Sequence, residues 1–237
     1  SRLGVNVDHI ATLRNARGEG HPDPISYARQ VMNFGANSIT IHLREDRRHI
    51  RDEDVAIFSK IKRVPINLEM AANNEMLKIA LKYKPNFVCI VPEKRNEITT
   101  EGGLNIKKNK KIISKVISKL NSRKIRTSLF INPDINDVFA SKELNAKCVE
   151  LHTGKFALKV KNNKNYLVEF KKIKNCATLA KKLGMEVHAG HGLDYKSTKI
   201  LRKIKSIEEF NIGHFIIGEA IMFGMKKVIT NFRKILN

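Results

Sequence analysis

The sequence predicts a (β/α)8 barrel, a TIM barrel with short additional helices, and three observations carry that prediction. Short apolar runs rich in β-branched residues alternate with amphipathic stretches eight times along the chain. The alternation recurs at about 30 residues, the length of one βα unit. The apolar runs also stop abruptly at polar or charged residues, as parallel strands do where they reach the open face of a barrel. A doubly wound open sheet is the alternative, but no Gly-x-Gly-x-x-Gly follows the first strand. With 237 residues, 42% of them hydrophobic, the chain suits one catalytic domain over 1–237.

The first strand is read over 3–8, ending in Asn6 and Asp8, with His9 following. Residues 24–34 form a helix with Ile25, Ala28, Val31 and Met32 on one stripe and Gly35 as its stop. Ser38–His42 is a buried strand by its β-branched content, and the charge cluster over 44–54 that follows cannot be core. Helix 52–62, strand 66–69 ending in Glu69, helix 73–82 and strand 87–91 come next, the last halted by Pro92 and Glu93. A loop over 93–105 carries Thr99 and the pair Gly102 and Gly103, and is a candidate lid before helix 105–120. Strand 126–131 turns at Asn132, Pro133 and Asp134 into a helix ending near Leu144. Strand 148–152 bears Glu150 and His152. An irregular basic segment leads to helix 176–183, and strand 186–189 runs into Gly190, His191 and Gly192. Helix 195–205 precedes an eighth strand placed at 215–217, closed by Gly218, and a last helix over 219–236.

If the strands share one barrel, their ends gather Asn6, Asp8, His9, His42, Arg44, Glu69, Glu150, His152 and His191 on one face. Taken singly, each has an ordinary structural explanation as a cap, a hydrogen-bonded histidine or a loop arginine. Together they read as an acid–base site. Glycines near the last two strands, Gly192, Gly213 and Gly218, let backbone N–H groups approach an anion, which points to a phosphorylated ligand. No lysine ends a strand interior where a Schiff base would be held, and no His-x-His or His-Glu-x-x-His pattern occurs. Acid–base chemistry on a phosphorylated carbonyl compound remains, with no cofactor and no metal expected.

The net charge of +22 admits a nucleic-acid partner or a field that draws in anionic substrates. Trp is absent and aromatics make up 6%, which provides little for base stacking, so no nucleic-acid partner is expected. No apolar run approaches a membrane span and no signal-peptide pattern opens the chain, so no membrane partner is expected either. Three widely spaced cysteines, without Cys-x-x-Cys, suggest a reduced, cytoplasmic compartment.

Several long motifs carry a resemblance. GVNVDHIATLRNARG at 4–18, HLREDRRHI at 42–50, NLEM at 67–70, VPEKR at 91–95, TTEGG at 99–103, ELHTG at 150–154, AGHGL at 189–193 and NIGH at 211–214 resemble, in this order, the pyridoxine 5′-phosphate synthase (PdxJ) family. That resemblance implies a barrel that condenses 1-deoxy-D-xylulose 5-phosphate with 3-amino-2-oxopropyl phosphate through an imine between the substrates. The products are pyridoxine 5′-phosphate, inorganic phosphate and water. It implies His42 as general base, Glu69 as second proton acceptor, His191 as proton donor and Glu150 as stabiliser of cationic intermediates. Asp8, His9, Arg44, His49 and Thr99 match positions that hold the deoxyxylulose phosphate. Asn6, Arg17, Gly192, Gly213 and His214 match those that hold the amino-ketone phosphate. The family resemblance also implies a homo-octamer, and leaves open whether Arg17 serves its own subunit or a neighbour's. Two departures stand out: His188 where Asn is expected, and Phe156 where Tyr is expected. A metal-dependent barrel hydrolase or aldolase using the same histidines is the runner-up, and a non-enzymatic nucleic-acid binder the reading from another class.

Overall fold

The computed structural model describes residues 1–93 and 102–237. Eight short strands, β1 (Arg2–Asn6), β2 (Ser38–His42), β3 (Ile66–Met70), β4 (Phe87–Ile90), β5 (Arg126–Ile131), β6 (Cys148–His152), β7 (Glu186–Gly190) and β8 (Glu209–Ile212), each pair in parallel with the next. Pairing of β8 with β1 closes the barrel. Around it run α1 (Asp8–Arg17), α2 (Pro24–Asn33), α3 (Asp52–Phe58), α4 (Asn74–Tyr83), α5 (Ile106–Ser122), α6 (Ile135–Glu143), α7 (Gly154–Lys161), α8 (Leu167–Lys182), α9 (Tyr195–Leu201), α10 (His214–Phe223) and α11 (Met225–Leu236).

Local chemistry marks the helix ends. The Asp23 carboxylate accepts from the N–H groups of Ile25 and Ser26 ahead of Pro24, and Asn73, Asn105 and Asp134 cap α4, α5 and α6 in the same way. Asp194 and Ser197 close a reciprocal cap on α9.

Alternation along the strands divides the molecule into two chemically different interiors. Residues facing outward, such as Leu3, Val5, Ile39, Ile41, Leu129 and Val187, are inaccessible and meet the inner faces of the helices, including Ala28, Val116, Ala177 and Phe232. This annulus is the hydrophobic core. The inward set is polar: Arg2, Asn6, Ser38, His42, Asn67, Glu69, Arg126, Glu150, His188, Glu209 and Asn211 lie in the lumen, and register keeps them neighbours across the sheet. Bulky branched side chains commonly fill such lumens. A lumen built instead from groups that bind and move protons is organised for chemistry.

Four sequence expectations are corrected. β8 lies at Glu209–Ile212, and residues 215–217 belong to α10. Glu209 and Asn211 face the polar lumen, which hides the strand among polar residues, while the apolar run in α10 imitates a buried strand. β1 ends at Asn6, and α1 starts at Asp8, at the end of the stretch read as strand, and continues to Arg17 through residues to which no element was assigned. The basic segment after β6 is helical: α7 occupies its start, and α8 begins at Leu167. Finally, the last helix is two helices separated at Gly224, whose φ of +78° stops α10. The candidate lid falls largely outside the described residues. Its described end packs down through Gly103, which donates to Asn132 Oδ1 at 3.0 Å.

Candidate active site

The open end of the barrel collects the acid–base groups. His42 ends β2, and register sets it beside Glu69 on β3. His42 Nε2 lies 2.9 Å from Oε1 of Glu93, three residues past the end of β4, while Nδ1 is 3.8 Å from Glu69 Oε2. Burial would raise the Glu93 pKa, but the hydrogen bond and charge of His42 and the Glu45 N–H hold it low. An ionised Glu93 can only accept, so His42 donates from Nε2 and keeps Nδ1 as its proton-accepting nitrogen.

Asp8 fixes the same region from the first residue of α1. Its Oδ1 accepts from the His42 N–H at 2.8 Å and its Oδ2 from Asn6 Nδ2 at 2.7 Å. His49 completes this corner: its ring centroid is 5.7 Å from that of His42, and Nδ1 is 3.8 Å from Asp8 Oδ1. Burial lowers the His49 pKa despite the nearby Asp8. Arg44 is buried beside them, its Nε 3.5 Å from Asp46. Asp8, His42 and His49 could jointly offer ligand atoms to a metal ion. In this structure Asp8 Oδ1 already accepts from His42, and His49 Nδ1 accepts from the Ile50 N–H at 3.0 Å.

Glu150, on β6, lies deeper. Asn211 Nδ2 donates to its Oε2 at 2.6 Å, and Gly190 lies so close that a Cβ there would overlap Oε1. Burial pushes the Glu150 carboxyl up to about 7, restrained by the charge of His188 and the Asn211 hydrogen bond. Glu69 is pushed well above the usual carboxylate range by burial and by Glu150, Asp8 and Glu93. His191 follows β7 at a φ of +79°, its ring 4.8 Å from that of His152, and burial lowers its pKa. Thr153 pins this turn by donating to the carbonyls of Gly190 and His191, both at 2.7 Å.

A third corner lies between β1 and β8. The rings of His9 and His214 are 5.1 Å apart, at the starts of α1 and α10, and His9 Nδ1 is a buried atom without a hydrogen-bond partner among the described residues. Gly213 precedes α10, and a Cβ there would press on Asn6. Helix N-termini of this kind present N–H groups to anions. Gly192, at φ +76°, lies against α7. Arg17 stands apart. It ends α1, about 13 Å of helix rise from Asp8, and its side chain is 74% exposed, 3.8 Å from Glu19. Thr99 lies outside the described residues. The sequence reading overlooked Glu93, Asn211 and the place of His152 against His191. Only Glu93 had a visible signal, as a carboxylate just past the proline that halts an apolar strand.

A family model described as pyridoxal phosphate biosynthesis protein PdxJ matches residues 3–237. A pyridoxine 5′-phosphate synthase of Pelagibacter ubique is 61% identical over 236 residues, covering 100% of this chain and 99% of that protein. The chain belongs to the PdxJ family. A second relative, the pyridoxine 5′-phosphate synthase of Zymomonas mobilis, is 50% identical over 100% of this chain and 91% of its own length. Among solved structures, N-(5′-phosphoribosyl)anthranilate isomerase from Pyrococcus furiosus superposes with a TM-score of 0.63 at 11% identity, covering 99% of this chain and 98% of that one. The tryptophan synthase A-subunit of the same organism gives 0.63 at 13% identity, over 100% and 97%. These two share the barrel with the PdxJ chain.

Proposed function

We propose that this PdxJ-family chain is a pyridoxine 5′-phosphate synthase in vitamin B6 biosynthesis. It condenses 1-deoxy-D-xylulose 5-phosphate with 3-amino-2-oxopropyl phosphate and releases inorganic phosphate and water. The observation that carries the reading is a histidine held between two acidic side chains, His42 with Glu93 and Glu69, at the mouth of a polar barrel in a chain 61% identical to such a synthase. All of 1–237 is read as one catalytic domain.

Imine formation, dehydration and ring closure each move protons. His42, oriented through Nε2 by Glu93, takes a proton at Nδ1. Glu69 holds protons more tightly than a solvated carboxyl and exchanges them with the same substrate face. His191 binds its proton weakly because it is buried, so its imidazolium gives that proton up readily to a departing hydroxyl. Glu150, as a carboxylate, balances the positive charge of iminium-like intermediates. Asp8, His9, Arg44, His49 and Thr99 would hold one phosphorylated substrate. Asn6, Gly192, Gly213 and His214 would hold the other, at the N-terminus of α10, with Arg17 completing that site.

A homo-oligomer, an octamer by family resemblance, is part of this reading. On α10, Ile221 and Met222 are 78% and 76% exposed, and Phe223 and Leu13 are also uncovered, which supports burial of this face against another copy. The three cysteines are buried free thiols, which supports a cytoplasmic setting. Among the described residues no helix is long and apolar enough to cross a membrane.

The test is product formation. Purified protein with both substrates should yield pyridoxine 5′-phosphate by absorbance and mass, and His42→Ala, Glu69→Gln and His191→Ala should each cut the rate sharply. No product from the folded wild type would overturn the assignment.

A further inference from the structure

The floor of the lumen, opposite the mouth, holds a charge cluster that the reaction does not call on. Arg2 pairs with Glu186, and its Nε is 2.7 Å from Glu209 Oε2; Arg126 also pairs with Glu186. Two arginines and two glutamates cancel. His188, 2% exposed, enters this balanced set from β7. Its Nε2 is 3.0 Å from Glu186 Oε1 and its Nδ1 is 3.9 Å from Glu209 Oε1. With a carboxylate facing each ring nitrogen, the surroundings suit the imidazolium, which donates from both. Arg2 Nη2 lies 3.4 Å from the same Nε2 and opposes that charge, though it is itself bound to Glu186. Strand register sets His188 directly beside Glu150 on β6 and beside Glu209 on β8.

We propose that His188 is a positioning residue whose buried positive charge, held by Glu186 and Glu209, keeps Glu150 available as a carboxylate in the neutral range. The inference rests on the role given above to Glu150. With His188 protonated and Glu150 ionised, the two form a neutral unit beside the balanced floor. With His188 neutral, the Glu150 charge stands uncompensated in a buried site, and the carboxyl keeps its proton instead.

The other groups facing this pair do not supply the missing charge. Cys89, from β4, lies 4.0 Å from Glu150 Oε2, and its thiol is pushed well up by burial and by Glu150 and Glu69, so it stays uncharged. Glu69 likewise retains its proton. Burial works against a charged His188, but Cys148 on β6 and then Glu209 outweigh burial and Arg126, and its pKa is raised.

The test reads Glu150 itself. In ligand-free, full-length protein, pH-difference infrared spectra report carboxyl protonation, and loss of one band in Glu150→Gln assigns it. The wild-type midpoint is expected near 7, and His188→Asn should move it up by at least about one pH unit. In kinetics the acid limb of kcat should move with it. That shift lowers kcat at pH 7 by about fivefold, with recovery by pH 9 and little change in KM. His188→Gln is the second variant should the asparagine protein fail to fold. An unmoved midpoint in the folded variants, or a wild-type Glu150 still fully protonated at pH 8, overturns the proposal. If the midpoint moves but the wild type makes no pyridoxine 5′-phosphate, the reaction assignment fails and the charge coupling stands.

Discussion

Glu93 decides which nitrogen of His42 can act. Replacing it by glutamine removes the charge that fixes the Nε2–H tautomer and leaves a side chain that can also donate. Glu93→Gln should therefore lower kcat by about 10- to 100-fold with a smaller change in KM, measured in steady-state assays with each substrate varied in turn. Glu150 makes a prediction about stability. Its carboxyl rises from the ordinary 4.5 to about 7 on folding, so between those values the folded state binds a proton that the unfolded chain has lost. Stability from this group is complete below pH 4.5 and is lost as pH rises through 7, by roughly 3 kcal/mol in all. Urea unfolding of the wild type should show that decline between pH 5 and 8, and Glu150→Gln should remove it. A methyl group at Gly190 would overlap Glu150 Oε1. Gly190→Ala is thus expected to displace the carboxylate and reduce kcat at least as much as Glu150→Gln does, with the far-ultraviolet circular dichroism of the barrel retained.

At the scale of elements, α11 is the clamp that closes the barrel wall. Val228, Ile229, Phe232 and Leu236 are fully buried, and Phe232 stacks with Tyr195 of α9 and Phe215 of α10, at centroid distances of 4.6 and 6.0 Å. Phe232→Ala should cost about 3–5 kcal/mol, read as a lowered urea midpoint with an unchanged slope. The same elements show how much a sequence can tell. β2 through β7 were legible because their outward residues are aliphatic, and Asp or Asn caps mark the helices after β3, β4, β5 and β7. β8 was not, since its inward Glu209 and Asn211 obey the lumen's chemistry and break the apolar pattern that marks a strand. α10 deceived for the converse reason: Phe215, Ile216 and Ile217 run together as a buried strand would, with Ile216 in the core of the chain, while Ile221 and Met222 further along stay exposed. His42, Glu69 and Glu150 were legible as polar groups on apolar strands, and the motifs sharpened their roles. The pairing of His42 with Glu93 was not, because it joins residues 51 apart in the chain through barrel closure alone.

At the scale of the whole molecule, the exposed apolar helix begins at the mouth of the polar lumen, with His214 at its first turn. Arg17 and α10 border the same groove between α1, α2 and α10, where Leu13, Ile221 and Phe223 also lie. Within its own subunit Arg17 ends a helix that carries it about 13 Å from Asp8, too far to share a substrate bound between His9 and His214 without a change in α1. A second copy seated on the groove would cover the apolar face and carry its neighbour's Arg17 toward a phosphate in the opposite mouth. Ile221→Asp places a charge in that contact and should reduce the assembly to smaller species in sedimentation velocity, with the barrel still folded. Activity should fall with assembly. The decisive measurement is complementation: Arg17→Ala and His42→Ala chains, each inactive alone, are co-expressed with different tags and purified as mixed oligomers. If Arg17 serves the neighbouring site, some mouths in the mixture combine an intact His42 with an intact Arg17 from the other chain, and a substantial fraction of wild-type activity returns. If Arg17 serves its own subunit, every mouth lacks one of the two groups and the mixture stays inactive.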